Sequence, residues 1–198
     1  MKNLENYNVE QKKILLRVDL NVPVVDGVVT EKSRIEAIKD TINVLQKQKN
    51  KIFLIAHFGR PEGIENTHYS IKFLCPILES EFGVNHIYFV ESFEDNKIQQ
   101  TLNEMKPGEI CLFENVRFHP GEENNDLNFI KELCKNFDVF INDAFSASHR
   151  IHASIVGPAK FLPSLAGLSL LKEIKNIDTL FNNQKKPSLA IIGGSKIS

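Results

Sequence analysis

Short apolar runs recur along the chain, and each ends in a polar cluster. Ile14-Leu15-Leu16-Arg17-Val18 opens the series and has the pattern of a strand buried on both faces. The run then turns polar, Asp19 and Asn21 alternating with Leu20 and Val22, and stops at Pro23. Alternation places Asp19 and Asn21 on one side of the chain. Residues 24–29 read as a hairpin turning on Asp26-Gly27. A helix follows, capped by Thr30 or Ser33, reaching about residue 49 with Ile35, Ile38, Ile42 and Leu45 as its apolar stripe. Further strands are predicted over residues 51–56, 86–90, 110–113 and 138–141. Helices are predicted over 71–82, ending at Gly83, and over 97–105, 127–137 and 165–181. A last apolar strand, residues 188–192, feeds Gly193-Gly194-Ser195-Lys196.

Strands alternating with helices predict an α/β fold: three α/β/α layers around a mostly parallel sheet of about six strands. Open sheets of this kind bind ligands at the carboxyl ends of their strands. Asp19, Asn21, His57, Arg60, Arg117 and Arg150 all fall just past a predicted strand, with Arg34 in the first turn of the first helix. His57 precedes the turn Gly59-Arg60-Pro61, which favours a functional histidine over a core one. The acidic pair Glu122-Glu123 lies in a polar loop and reads as solvated. His149 and His152 lack a third ligand nearby, so no metal site is read. Gly-Gly-Ser-Lys is a weak anion signal, because the spacing of a P-loop is missing. A strand that starts so near the end of the sequence suggests a truncated protein.

Composition sharpens this picture. The 198 residues are 42% hydrophobic with a net charge of −1, which suits one large globular domain and argues against a nucleic-acid or membrane-surface binder. No apolar run approaches the ~20 residues of a membrane span. Cys75, Cys111 and Cys134 have no metal or redox spacing and read as reduced, buried thiols. Of the 24 basic residues only five are arginine: Arg17, Arg34, Arg60, Arg117 and Arg150. Arginine is required where a planar, permanently charged fork grips a carboxylate or phosphate. Arg17, inside the first strand, reads as a fold-internal cation; the other four converge on one edge. Four arginines in one cleft imply a ligand with more than one negative group, and Asp19 with Asn21 implies hydroxyls on it. The residues alone therefore point to a small phosphorylated hydroxy acid.

Six segments together are similar to the phosphoglycerate kinase family: Arg17-Val-Asp-Leu-Asn-Val-Pro23, His57-Phe-Gly-Arg-Pro61, Glu114-Asn-Val-Arg-Phe118, Asn142-Asp-Ala-Phe145, His149-Arg-Ile-His152 and Gly193-Gly-Ser-Lys196. They stand in the family's order and spacing across essentially the whole chain. The resemblance implies a phosphoglycerate-binding domain over residues 1–165, an interdomain helix over 166–185, and the start of a truncated nucleotide-binding domain over 186–198. It implies phosphoryl transfer between 1,3-bisphosphoglycerate and ADP, giving 3-phosphoglycerate and ATP with Mg²⁺, in a cytoplasmic monomer. Asp19 and Asn21 would take the glycerate hydroxyl and carboxyl end. Arg60, Arg117, Arg150 and His57 would hold the non-transferred phosphate, and Arg34 the transferring group. Lys196 would reach that group from the second domain, with Gly193 and Gly194 on the nucleotide side. The acidic metal ligand and adenine site would lie past Ser198, leaving this stretch inactive alone.

Three positions depart from the family pattern: Leu20 for Phe and Ile151 for Ala, read as packing changes, and Ser146 for Gly, which puts its loop's backbone in question. The alternatives are a non-catalytic module binding phospho-metabolites, or an unrelated α/β domain such as a phosphosugar isomerase.

Overall fold

The computed structural model describes residues 1–182, together with Leu189 and Ile191. Its centre is a sheet of six parallel strands: β1 (Lys13–Arg17), β4 (Lys51–Ile55), β5 (Tyr88–Val90), β6 (Ile110–Phe113), β7 (Val139–Asn142) and β8 (Ser164–Ala166). Their spatial order is β5-β6-β4-β1-β7-β8. A separate antiparallel hairpin, β2 (Val24–Val25) with β3 (Val28–Val29), follows β1. Asp26 and Gly27 at its tip both have positive φ, at 51° and 77°, as the predicted Asp-Gly turn requires.

Side chains along each central strand alternate between two apolar layers. Ile14, Leu16, Ile52, Leu54, Ile110, Leu112 and Ile141 enter one. Leu15, Phe53, Ile55, Cys111, Phe113 and Phe140 enter the other. The first layer is closed by α1 (Ser33–Ala37), α2 (Lys39–Lys47) and α3 (Cys75–Phe82) through Ile35, Ile42, Leu45 and Leu78. The second is closed by α4 (Asp95–Glu104) and α5 (Leu127–Cys134) through Ile98, Leu102, Ile130 and Leu133. The helix α6 (Ala153–Val156) and the long α7 (Leu168–Asn182) complete the chain's helices among the described residues. This is the expected α/β/α arrangement.

Several boundaries differ from the pattern-based expectation. The helix predicted up to residue 49 is two helices broken at Ile38, and neither has a side-chain cap; Glu31, not Thr30 or Ser33, accepts the Ser33 N–H. Residues 72–74 form a 3-10 turn before α3. The sixth strand is Ser164–Ala166, overlapping residues 165 and 166 at the start of the helix expected over 165–181. Its flanks, Pro163 and Gly167, bound a segment too short for its alternation to show. The predicted strand over residues 188–192, and Gly193, Gly194 and Lys196, lie outside the described residues, save that Leu189 and Ile191 are exposed. Among the described residues no helix is long and apolar enough to cross a membrane.

The register fixes where chemistry gathers. Arg17 pairs with Ile55 on one side and Asn142 on the other. The three central strands thus end in one row, and Asp19, His57 and Asp143 follow within two residues of it.

Candidate functional site

β1 ends at Arg17, so Asp19 and Asn21 sit in the loop beyond the strand rather than on a continuing pleat. Another device holds them together: Asp19 Oδ1 accepts the Asn21 N–H at 3.0 Å. The Asp19 carboxylate also takes hydrogen bonds from Arg34 and from the Ser146 hydroxyl. Burial alone would raise this carboxyl. The three donors outweigh it and hold the group below the usual carboxylate range. Asn21 Oδ1 accepts the Gly59 N–H at 2.9 Å and so ties the first loop to the second.

That second loop is fixed from below. Buried Asn115 accepts the N–H groups of Phe58 and Arg117 at 3.2 and 3.1 Å, and its amide donates to the carbonyls of Phe58 and Tyr69. Glu114 accepts from the Ser70 hydroxyl, Ile71 N–H and Asn115 N–H. Gly59 has φ 60°, and a Cβ there would sit 2.4 Å from the Tyr69 ring, so both conformation and space demand glycine. Its carbonyl accepts from Arg117 at 2.5 Å.

Arg117 is buried, with Nε 3.0 Å from Glu123 Oε1 but not aligned for a hydrogen bond. Burial lowers its guanidinium; Glu123 opposes this, while the charges of Arg150 and Arg60 add to it. Arg60 is exposed and Arg150 half-buried, and among the described residues neither side chain makes an ion pair. His57, 7% exposed, is pushed down to about 3 by burial and by the charges of Arg17, Arg117 and Arg150. It is therefore neutral at physiological pH.

The expected cations thus assemble into two neighbouring groups. Arg60 and Arg150 both bear on Arg117, Arg117 and Arg150 bear on His57, and Arg34 is paired with Asp19. Arg34 borders two clefts. One, of about 1060 Å³, is lined with Asn21, Phe58, Gly59 and Tyr69; the other, of about 340 Å³, with Asp19, Asp143 and Ser146. A hollow of about 550 Å³ over Phe93, His119 and Phe129 is rimmed by Glu65, Glu91, Glu94 and Glu132 and contains none of the predicted site residues.

Sequence reading missed four contributors. Glu122, taken for a solvated acid, is fully buried; its carboxylate accepts the Ser154 N–H and hydroxyl at 2.8 and 2.7 Å and lies 3.8 Å from His152. Only Glu123 of that pair is exposed. Ser154 in turn accepts from Arg17 Nε at 3.0 Å. Asn115 and Ser146 complete the set. Ser146 has an ordinary negative φ, so the doubt over its loop falls away, while its hydroxyl adds a contact to Asp19 that glycine lacks. Leu20 is fully buried, but Ile151 is 71% exposed and has little packing to alter. Arg17 is the expected fold-internal cation. Among the described residues no three His, Cys, Asp or Glu side chains group to hold a metal. Cys111 and Cys134 are buried and Cys75 half-buried, all unpaired; burial pushes Cys75 up to about 11 and Cys134 up to about 12.

Comparison with known proteins identifies the family. A family profile described as phosphoglycerate kinase matches residues 4–198. The chain is 41% identical to a phosphoglycerate kinase of Brucella melitensis over 197 residues, all of this chain and 50% of that protein. It is 44% identical to one of Sinorhizobium fredii over 187 residues, 94% of this chain and 47% of that protein. The phosphoglycerate kinase structure from Pyrococcus horikoshii superposes with a TM-score of 0.88 at 29% identity, covering 99% of this chain and 49% of that one. That from Coxiella burnetii gives 0.81 at 30% identity, covering 93% and 46%. The chain spans about half the length of the relatives it matches. With a profile that runs through nearly every residue, the chain belongs to the phosphoglycerate kinase family.

Proposed function

We propose that this chain carries the phosphoglycerate side of the family's reaction, transfer of a phosphoryl group between 1,3-bisphosphoglycerate and ADP in glycolysis and its reversal. The observation supporting this most is the charge pattern around His57. Arg17, Arg117 and Arg150 all bear on one neutral imidazole, and Arg60 on Arg117. Like charges held together are unfavourable until an anion joins them, so the fold keeps a standing demand for one. In this reading Arg60, Arg117, Arg150 and His57 grip the phosphate that stays. Asp19 and Asn21 receive the hydroxyl and carboxyl end. Arg34 turns from Asp19 toward the transferring phosphoryl group and neutralises the charge that develops on it.

In the direction that consumes ATP, the attacking group is a carboxylate, ionised at pH 7. Its oxygen forms the new P–O bond as the bond to the departing ADP oxygen breaks, and no proton has to be removed. Alignment and charge neutralisation therefore suffice, and arginines supply both. Mg²⁺ would arrive with the nucleotide. Residues 1–165 form the phosphoglycerate domain in this account and 166–185 the interdomain helix. Residues 186–198, with Gly193, Gly194 and Lys196, open the nucleotide side. The protein acts as a cytoplasmic monomer, and domain closure brings the two substrates together.

The test is complementation. The 198-residue chain alone makes no ATP from 1,3-bisphosphoglycerate and ADP, and makes it once the carboxy-terminal half of a relative is added. Turnover by the chain alone contradicts this division of labour. A mixture that stays inactive while 3-phosphoglycerate still binds favours the non-catalytic module instead.

A further inference from the structure

Arg17 is fully enclosed and has no carboxylate in hydrogen-bond contact, an unusual setting for a guanidinium. Its donors are nonetheless spent with care. Nε donates to Ser154 Oγ at 3.0 Å, and one terminal nitrogen reaches the carbonyls of Val18 and Ile55 at 2.5 and 3.5 Å. The other terminal nitrogen, NH2, lies 3.1 Å from His57 Nδ1. A guanidinium has only donors, so the imidazole nitrogen facing it must accept. A neutral imidazole that accepts at Nδ1 carries its proton at Nε2. Among the described residues Nε2 has no hydrogen-bond partner, and it is not among the buried atoms left without one. It is therefore the end of the ring left free to donate.

We propose that Arg17 is a positioning residue: it locks His57 as the Nε2–H tautomer and aims that N–H as a neutral, directed donor at the phosphate bound in the cationic cleft. The claim rests on the phosphoglycerate reading for the identity of the anion, but not for the tautomer. Arg17 is itself fixed at both flanks. Ser154 is held by the fully buried Glu122, and the register of β1 with β4 supplies the Ile55 carbonyl. The charged groups bearing on His57 are Arg17 on β1, Arg117 after β6, Asp19 after β1 and Arg150 after β7. Three of these four oppose protonation of the ring. Arg17 thus shapes a contact it never makes: its charge adds to burial in keeping the ring neutral, and its geometry chooses which nitrogen donates.

The experiment is long-range ¹⁵N–¹H correlation of the histidine side chains in the 198-residue chain, with His57 assigned by its loss in His57→Gln. Expected are an Nδ1 shift typical of an unprotonated acceptor and an Nε2 shift typical of a protonated nitrogen, unchanged between pH 7 and pH 5.5. Arg17→Met, or Arg17→Gln (whose amide can accept as well as donate) should the Met variant not fold, mixes the two tautomers. It also weakens 3-phosphoglycerate binding roughly tenfold, the loss of one hydrogen bond to a charged group. A proton on Nδ1 in the unaltered chain, or on both nitrogens at pH 5.5, overturns the proposal. So does an unchanged tautomer or unchanged affinity in the folded Arg17 variant. An unaltered chain that binds no 3-phosphoglycerate contradicts the reading of the cleft, and the nitrogen shifts then decide the tautomer by themselves.

Discussion

Arg34 is paired to Asp19, which also holds Ser146 and the Asn21 N–H. That network leaves Arg34 partly exposed at the border of two clefts, ready to exchange one anion for another. In a protein that includes the second half, Arg34→Ala is expected to lower kcat by on the order of 10³-fold, as for other arginines that neutralise a transferred phosphoryl group. Steady-state kinetics check this, and a change confined to KM would show that Arg34 only binds. His57 makes a separate prediction in acid. Its folded value near 3 lies below the ordinary 6.5, so between those limits the unfolded chain binds more protons. Stability from this group is complete above pH 6.5 and is lost as pH falls toward 3. Urea midpoints measured from pH 7 to 4.5 are expected to fall more steeply in the unaltered chain than in His57→Gln, by up to about 1.4 kcal/mol per pH unit. Parallel curves would mean the ring is not buried beside those cations.

At the scale of elements, strand identity was written clearly where a strand was a run of apolar residues. Lys51–Ile55 and Ile110–Phe113 are almost wholly buried, and their composition alone announces it. Ser164–Ala166 was illegible because three residues cannot display a period, and the leucines that follow continue a helical spacing. The break at Ile38 carries no proline or glycine to mark it. The arginines of the site were readable from their scarcity and their place after strands. Glu122 and Ser154 were not, because each is explained only by the other, 32 residues away. The start of α7 is a further case. Its Leu168 N–H goes to buried Thr41 on α2 at 3.0 Å, and its Leu170 N–H to Asp143 at the end of β7 at 2.9 Å. Burial raises the Asp143 carboxyl, and the Thr41 hydroxyl and the Leu170 and Ser169 N–H groups offset part of that. The start of α7 is therefore held both by α2 and by the segment that carries Ser146. Thr41→Val leaves the half-buried Leu168 N–H without its partner and is expected to cost about 1 kcal/mol by urea unfolding. It is also expected to speed amide exchange in the first turn of α7. Unchanged stability and exchange would remove Thr41 from this role.

Across the whole molecule, the parallel sheet solves a problem of distance. Arg34, Arg60, Arg117 and Arg150 are spread over 117 positions of sequence, yet each sits past an aligned strand end or in the first turn of a helix beside one. Topology brings them together, and small connectors finish the geometry: Asn21 to Gly59, Asn115 to Phe58, Gly59 to Arg117. The cost of gathering that charge is met by two apolar layers that enclose the strands on both faces. An anion binding there stabilises the fold through the same contacts it uses for recognition. The most direct measurement is isothermal titration of the 198-residue chain with 3-phosphoglycerate, repeated with glycerate and with Arg117→Ala. The account predicts saturable one-site binding of 3-phosphoglycerate, none of glycerate, and a loss of about tenfold or more without Arg117. Equal binding of glycerate, or affinity indifferent to Arg117, would contradict it.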